Sequence, residues 1–292
     1  MTLNDVAQES DDDIDVILEA DGDDMDMILR DYHVIPLENQ SEVSLYVGFD
    51  YTQGDYGNLT KTKMSYIPIS LNYTVEAWRF RVSSGYVSVT GEENIIPGTG
   101  LPTLLIGPAI DNTAQNSNNG NSNNGIGDIF LSGSYAFHDF WANDFWANDL
   151  WANDLYIDIT AQVKIPTANV ENGLSTGKTD FSLQISVARF ISDFLPFATV
   201  GYRYIGKTNR YDLQNIWFAS LGMAYYLNHN MTLGISYDLR KSVNVNTANL
   251  QELQAYMDYR FSKNWGAYFY GIAGLSDSSP NIGGGFQLKY NF

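Results

Sequence analysis

The chain has 292 residues, with 34 acidic and 16 basic side chains, a formal net charge of −18 and no cysteine. The lack of cysteine excludes disulfides and thiolate metal sites, and the negative charge argues against nucleic acid as a partner. Mean hydropathy is −0.22, and no apolar run reaches the roughly 18 residues that a membrane-spanning helix needs. This test does not detect a membrane β-barrel, because polar lumen-facing residues alternate with the lipid-facing ones and lower the mean hydropathy of each strand.

The first 41 residues form an acidic segment. They carry 13 acidic side chains and one basic side chain, so 12 of the 18 net negative charges lie there. We expect a domain boundary near Ser41, with a disordered tail at 1–41 and a barrel at 42–292. The alternatives are a partner-binding segment or a loose calcium site in residues 21–26, although the EF-hand spacing is missing.

Residues 1–10 show neither the basic nor the apolar part of a secretory signal. A barrel protein needs such a signal for export. We therefore expect that the numbering begins at a processed or re-engineered start.

From residue 42 onward, apolar and polar residues alternate in short segments. Period-two alternation predicts strands with one apolar and one polar face. The fifth segment is the clearest, since Leu155, Ile157 and Ile159 alternate with Tyr156 and Asp158. The pattern predicts twelve strands, at about 42–53, 62–74, 78–90, 126–138, 155–166, 180–191, 195–206, 214–227, 231–242, 250–261, 265–275 and within 281–292.

The last strand ends on Phe292 with no residue behind it, and Tyr290 precedes it on the same face. This ending resembles the terminal signal of bacterial outer-membrane β-barrels. The resemblance implies that Tyr290 and Phe292 act as an assembly signal for the barrel-assembly machinery.

Charge placement separates a membrane barrel from a soluble sandwich. An Arg or Lys on the lipid face costs about 2–4 kcal/mol at the bilayer midplane, so charges in the middle of strands should fall on the polar face. With the exception of Arg189, near a strand end, they do. Tyrosine and tryptophan also gather near strand ends, as interfacial aromatic girdles require. We therefore predict an all-β fold, a closed antiparallel up-and-down transmembrane β-barrel of 12 strands.

The connections agree with this topology. If both ends of the barrel domain are periplasmic, every second turn should be short, as at 75–77, 192–194, 228–230 and 262–264. The other connections should be longer outer loops, as at 91–125, 167–179, 206–213 and 242–249.

Two connections are unusual. Residues 139–154 contain a pentad repeat, DFWAN-DFWAN-DLWAN-D, in a predicted periplasmic turn. It is either a tandem duplication tolerated at a turn or an aromatic paddle on the membrane surface or a partner. Residues 95–110 form an apolar segment in an outer loop, followed by a flexible Asn/Ser/Gly tract. An exposed apolar segment needs cover, so it either folds back into the barrel mouth or forms a self-packed loop or hairpin extension. The first alternative gives the constriction candidates Ile95, Ile96, Leu101, Leu104, Leu105 and Ile106.

The sequence lacks signs of catalysis. The three histidines are isolated from possible metal-ligating partners, and His138 and His229 map to the periplasmic end, away from the site that an outer-membrane phospholipase would need. We predict no enzyme activity, no cofactor and no metal. Carboxylates such as Asp238 and Asp258 are interpreted as members of salt-bridged lumen ladders.

The lumen of a twelve-stranded barrel should be narrow and partly blocked, since tyrosines such as Tyr46 and Tyr256 point inward. Its basic side chains could form a transverse field that selects polar or anionic solutes. The lumen and selectivity candidates are Arg79, Arg81, Asp158, Lys164, Arg203, Asp238, Arg240, Glu252, Asp258, Arg260 and Lys289.

Three motifs resemble a family of outer-membrane transporters associated with the MetA pathway of phenol degradation. They are Gly125-Ile126-Gly127-Asp128 leading the fourth strand, Lys164-Ile165-Pro166-Thr167 closing the fifth, and Gly201-Tyr202-Arg203 in the seventh. The similarity covers roughly residues 125–292, and the acidic tail and the WAND repeat depart from the family pattern. The resemblance implies transport of aromatic or other hydrophobic compounds.

The sequence therefore predicts a porin-like channel in the bacterial outer membrane for passive uptake of small molecules, aromatic or hydrophobic compounds among them. The alternative is a structural or surface-interaction barrel with a plugged lumen and no transport. The expected partners are outer-membrane lipid and lipopolysaccharide, the barrel-assembly machinery and a small-molecule solute, with no nucleic acid.

Overall fold

A computed structural model describes residues 41–56, 61–91, 95–101, 104–108, 121–138, 155–245 and 247–292. The acidic tail up to residue 40 and the pentad repeat at 139–154 lie outside the described residues, and the predictions made for them are untested. Within the described ranges, no helix is long and apolar enough to cross a membrane.

The described residues form fifteen strands. In chain order they are β1 (Ser41–Gly54), β2 (Thr62–Val75), β3 (Trp78–Gly91), β4 (Ile95–Leu101), β5 (Leu104–Pro108), β6 (Asn121–Ile126), β7 (Ile129–His138), β8 (Leu155–Ile165), β9 (Asp180–Arg189), β10 (Phe194–Tyr204), β11 (Ile216–Asn228), β12 (Met231–Arg240), β13 (Leu250–Arg260), β14 (Trp265–Gly274) and β15 (Ile282–Asn291).

Thirteen of these strands close into one antiparallel barrel. From β7 to β15 each strand pairs with the next, β15 pairs with β1, and β1, β2, β3 and β7 complete the circle. β6 and β7 share one strand position, because β6 pairs with the second half of β3 and β7 with the first half. The barrel thus has twelve strand positions, which confirms the predicted fold class.

The shared position is interrupted at Gly127 and Asp128. The Gly127 N–H still donates to the Gly85 carbonyl at 2.8 Å, so the contact with β3 is not lost at the break. The sequence predicts one strand over 126–138. The structure instead has two strands, β6 and β7, and Asp128 lies in the gap between them.

The two ends of the barrel differ. The Phe292 N–H donates to the Val43 carbonyl at 3.0 Å, so the start of β1 and the end of β15 lie together at what we call the terminal end. Short turns connect strands here, at 76–77, 190–193, 229–230 and 261–264. At the opposite end, the loop end, the connections include the longer loops 166–179, 205–215 and 241–249. This asymmetry agrees with the predicted topology.

β4 and β5 form a separate two-stranded sheet in the long connection after β3. Ile95 pairs with Pro108 and Ile96 with Gly107. Among the described strands, neither pairs with the barrel. This hairpin matches the alternative of a locally paired loop, and whether its apolar side chains narrow the lumen stays a prediction.

The outer wall is apolar along its strands. The side chains of Leu183 and Leu221 are 55% and 65% exposed, and those of Ile157 and Leu233 point outward with them. An exposed apolar surface that encircles the molecule would be unstable in water and fits the hydrocarbon of a bilayer. Rings collect on this face at the terminal end, where Trp265 lies 4.8 Å from Tyr290, and Trp78 lies 4.8 Å from Tyr135. One predicted aromatic girdle is thereby located.

We expect Leu183→Arg to destabilise the folded barrel in lipid vesicles by about 2–4 kcal/mol, the cost of an arginine near the bilayer midplane. The matched control is Gln184→Arg, one residue along β9 and on the opposite face. The measurement is the free energy of unfolding in urea for both variants. An equal loss of stability would show that the two faces of β9 do not differ in their surroundings.

Candidate functional site

The lumen is lined by charged and polar side chains that strand alternation turns inward. Eight of the eleven sequence-derived lumen candidates are buried in the closed barrel, and Arg81, Asp238 and Arg260 share their face. The exposed fractions of Asp158, Arg203 and Lys289 are 0%, 2% and 5%. The structure thus brings these residues into one interior, and their role in selectivity stays a proposal.

Arg79 and Asp158 form an ion pair in the wall near the terminal end. Nη2 of Arg79 donates to Oδ2 of Asp158, and the Thr160 hydroxyl donates to Oδ1 at 2.8 Å. Ser134 extends this network, since its hydroxyl lies 2.8 Å from that of Thr160. Both charges are buried, so each depends on the other for compensation.

Two other cations share one aromatic ring. The guanidinium of Arg81 and the Nζ atom of Lys289 lie 5.5 and 5.6 Å from the centre of the Tyr46 ring. We call Tyr46, Arg81 and Lys289 the cation site. The Arg81 Nε–H also donates to the Asn72 side-chain oxygen at 2.7 Å, and Lys289 lies 4.0 Å from the Glu42 carboxylate.

A second ionic group lies at the loop end, and we call Asp128, Lys164, Ser175, Thr176 and Asp180 the mouth cluster. Lys164 Nζ lies 2.9 Å from Asp180 and 3.6 Å from Asp128, and it donates to Thr176 Oγ1 at 3.0 Å. Ser175 donates to Asp128 Oδ2 at 2.8 Å. Since Ser175 and Thr176 belong to the loop between β8 and β9, the cluster ties this loop to the wall.

Asp128 holds the same loop by its backbone. Its Oδ1 accepts the N–H groups of Thr167 and Ala168, both at 3.0 Å. The break between β6 and β7 at Asp128 therefore has a structural use, because it places a carboxylate against the start of the loop.

The β8–β9 loop (residues 166–179) lies inside the mouth. Leu174 is 2% exposed and packs in a cluster with Tyr56, Met64, Tyr66, Val87, Val89 and Ala168. Because the β2 and β3 members of this cluster face the interior, Leu174 narrows the passage there. Burial raises the pKa of the Tyr56 phenol, which remains neutral beside this apolar contact.

The sequence did not predict that the β8–β9 loop covers the mouth. It predicted that the mouth is narrowed by an apolar segment instead, and the structure does not test that prediction for its residues Ile95, Ile96, Leu101, Leu104, Leu105 and Ile106. The available signal was weak, since Leu174 stands among polar residues in the stretch TANVENGLSTGKT.

An aromatic wall covers another part of the lumen. The buried core of this wall comes from β9–β11 and from β13–β14, and it includes Leu195, Phe197 and Tyr256. Further rings continue it: Tyr268 lies 5.7 Å from Tyr256 and 5.8 Å from Tyr270. The prediction that tyrosines point inward is confirmed.

Four of the lumen rings pack against glycines of a neighbouring strand. A Cβ atom at any of these glycines would collide with the ring, so a larger residue would displace the ring. The pairs are Tyr66 with Gly85, Phe218 with Gly201, Phe197 with Gly222 and Tyr256 with Gly234. The glycines thus provide the space that these large rings occupy at the wall.

The remaining lumen charges are distributed along β10, β12 and β13. Arg240 lies 3.9 Å from Glu252, and Ser236 donates to Asp238 at 2.9 Å. Arg260 Nη2 donates to the carbonyl of His229 at 3.0 Å. The ion pair of Arg240 is with Glu252, and the ladder predicted for Asp238 and Asp258 stays a prediction.

The register places Asp238 and Asp258 apart along β12 and β13. Asp238 lies opposite Glu252, whereas Asp258 lies opposite Thr232. Within the described part of the chain, no group of three or more His, Cys, Asp or Glu side chains could hold a metal ion.

Sequence reasoning also passed over Asp50. This inward carboxylate on β1 accepts a hydrogen bond from Tyr270 Oη at 2.6 Å, across β15. A strand-by-strand inspection could have found it, since Asp50 alternates with Phe49 and Tyr51 on the opposite face.

No protein-family model matches the chain, and no curated protein matches its sequence. Among solved structures, the chain is similar to the COG4313 outer membrane channel from Pseudomonas putida F1. The TM-score is 0.59 at 12% identity, over 88% of this chain and 97% of that chain. A NanC porin gives a TM-score of 0.49 at 10% identity over 85% and 98% of the two chains. The beta domain of the Bordetella autotransporter BrkA gives 0.49 at 12% identity over 87% and 100%. The likeness to the Pseudomonas channel shows a shared barrel fold, and the link to phenol degradation stays a prediction.

Proposed function

We propose that the protein is an outer-membrane channel through which small molecules diffuse passively, aromatic or other hydrophobic compounds among them. The observation that carries the proposal is the form of the lumen. Its wall is polar and charged, and large rings pack against cross-strand glycines, where no side chain competes with them for space. The likeness in fold to the COG4313 outer membrane channel supports the proposal.

The proposal includes the surroundings of the barrel. The apolar outer wall would contact outer-membrane lipid and lipopolysaccharide, and Tyr290 and Phe292 would serve the barrel-assembly machinery. The acidic segment at 1–41 would be a separate tail. We propose no catalytic role for the protein. Hydrolysis of a lipid or peptide substrate by the purified protein would contradict this.

A plugged structural barrel is the second candidate, and one observation favours it. Leu174 and the mouth cluster hold the β8–β9 loop inside the mouth. A loop that never leaves this position would block solutes at the loop end.

Planar bilayer recordings of the purified protein separate the two candidates. A channel gives discrete current steps in potassium chloride and speeds the entry of small solutes into proteoliposomes. The absence of both current steps and solute flux, with a folded barrel in the same vesicles, would leave the plugged barrel as the function.

A further inference from the structure

The structure points to a recognition site for the carboxylate of a small aromatic acid at the cation site, Tyr46, Arg81 and Lys289. This inference rests on the proposed channel function and names the class of solute that the lumen would favour. It concerns one part of the wall, near the terminal end.

The charges at this site are not balanced. Arg81 contacts the neutral amide of Asn72 and the ring of Tyr46. Lys289 reaches a carboxylate, that of Glu42, only at 4.0 Å, and Glu42 also accepts a hydrogen bond from Ser44 at 2.7 Å. Neighbouring Arg79, in contrast, is in direct contact with Asp158. Within the described ranges, two cations therefore face one distant anion, and this positive excess is what a ligand carboxylate would neutralise.

The site has the right chemistry for a carboxylate. A guanidinium offers a planar pair of N–H donors that matches the two oxygens of a carboxylate, and an ammonium adds a further donor. The Tyr46 ring stabilises both cations without neutralising them, because cation–π attraction involves no counter-charge. Both cations also line a cavity of about 10 Å³, whose other lining residues include Glu42, Ser44, Asn72, Arg79 and Ser134. That volume is about one water molecule, and so about one ligand oxygen.

The aromatic wall lies beside the cation site. Lys289 on β15 is paired with Gly266 on β14, a residue without a side chain that could fill the space. Tyr268 follows two residues later on the same inward face, and its ring lies next to the rings of Tyr256 and Tyr270. A ligand with its carboxylate at Arg81 and Lys289 could place an aromatic ring against this wall, where ring–ring contact is favourable.

Benzoate and benzamide form a matched pair of probes, since they have nearly the same shape and differ in charge. We expect titration calorimetry on the purified protein to show benzoate binding. Benzamide should bind at least about tenfold more weakly, because it loses a charge-assisted hydrogen bond. Inorganic phosphate should also bind more weakly than benzoate, because it has no ring to contact the aromatic wall. Arg81→Gln and Lys289→Gln should each weaken benzoate binding by a similar factor. Arg81→Lys keeps the charge and should have a smaller effect.

Lys61→Gln, which removes an exposed positive charge at the loop end, is the control for net charge and should bind benzoate as the wild type does. Equal binding of benzoate and benzamide, or benzoate binding unchanged in both Gln variants, would overturn the proposed site. Equal binding of phosphate and benzoate would overturn the assignment to aromatic acids.

Flux into proteoliposomes distinguishes failure of the site from failure of the channel. Benzoate binding that depends on Arg81 without any flux would uphold the site and refute the channel. Current steps with no preference for benzoate, and no effect of the two Gln variants, would uphold the channel and refute the site.

Discussion

Replacing Asp128 by alanine is expected to open the mouth of the barrel. The change removes the acceptor of three hydrogen bonds that hold the β8–β9 loop, from the N–H groups of Thr167 and Ala168 and from the Ser175 hydroxyl. Bonds to a charged group contribute about 1.5–3 kcal/mol each. Losing all three shifts the equilibrium between closed and open loop by at least about 4.5 kcal/mol, or roughly a thousandfold in population.

Single-channel recordings provide the measurement. We expect the wild type to spend most of its time in a low-conductance state and Asp128→Ala in a high-conductance state. Lys164 retains Asp180 at 2.9 Å in the variant, so the wall keeps an ion pair at this place. Asp55→Ala is the matched control, because Asp55 is also at the loop end and bonds Asn281 by its backbone N–H. Identical conductance of Asp128→Ala and wild type would show that this loop does not govern the passage.

Replacing Arg79 by methionine is expected to cause the largest loss of stability among single substitutions in the lumen. Asp158 is fully buried and would lose its counter-charge, while Thr160 would still donate to it at 2.8 Å. Breaking a buried ion pair by removing one partner costs about 3–5 kcal/mol, because the remaining charge is left uncompensated in a low dielectric.

The double substitution Arg79→Met with Asp158→Leu removes both charges and should recover most of the loss. Urea unfolding of the barrel in lipid vesicles, followed by tryptophan fluorescence, measures the free energies. Lys263→Met, in a turn at the terminal end, should change stability by less than about 0.5 kcal/mol. A double variant that is less stable than Arg79→Met alone would contradict this account of the pair.

The sequence was sufficient for the twelve strand positions of the barrel and for the faces of the lumen candidates, but not for β4, β5 or the break between β6 and β7. Alternation is a local property, so Ile157 and Asp158 could be assigned to opposite faces without knowledge of the barrel. The lumen candidates followed from the same rule, because a charge in the middle of a strand is far more stable in an aqueous interior than in lipid. Arg79 and Asp158 were therefore placed correctly without their pairing being visible.

The cover of the mouth could not be predicted in this way. Asp128 and Ser175 are 47 residues apart, and their contact depends on the strand break at Asp128 and on the inward course of the β8–β9 loop. Loops lack a fixed period, so a buried Leu174 looks like any isolated apolar residue in a polar stretch. The packing of Tyr256 against Gly234 also depends on register between neighbouring strands, which alternation alone does not fix.

The most direct test of the central claim is cysteine scanning along β9, from Phe181 to Val187. The chain has no cysteine of its own, so each variant reports one position. Spin labels in liposomes distinguish contact with lipid from contact with water by their collisions with oxygen and with a water-soluble nickel complex. We predict that positions 181, 183, 185 and 187 contact lipid, and that 182, 184 and 186 contact water. If both sets show the same accessibility, the polar face does not enclose an aqueous lumen and the channel is refuted.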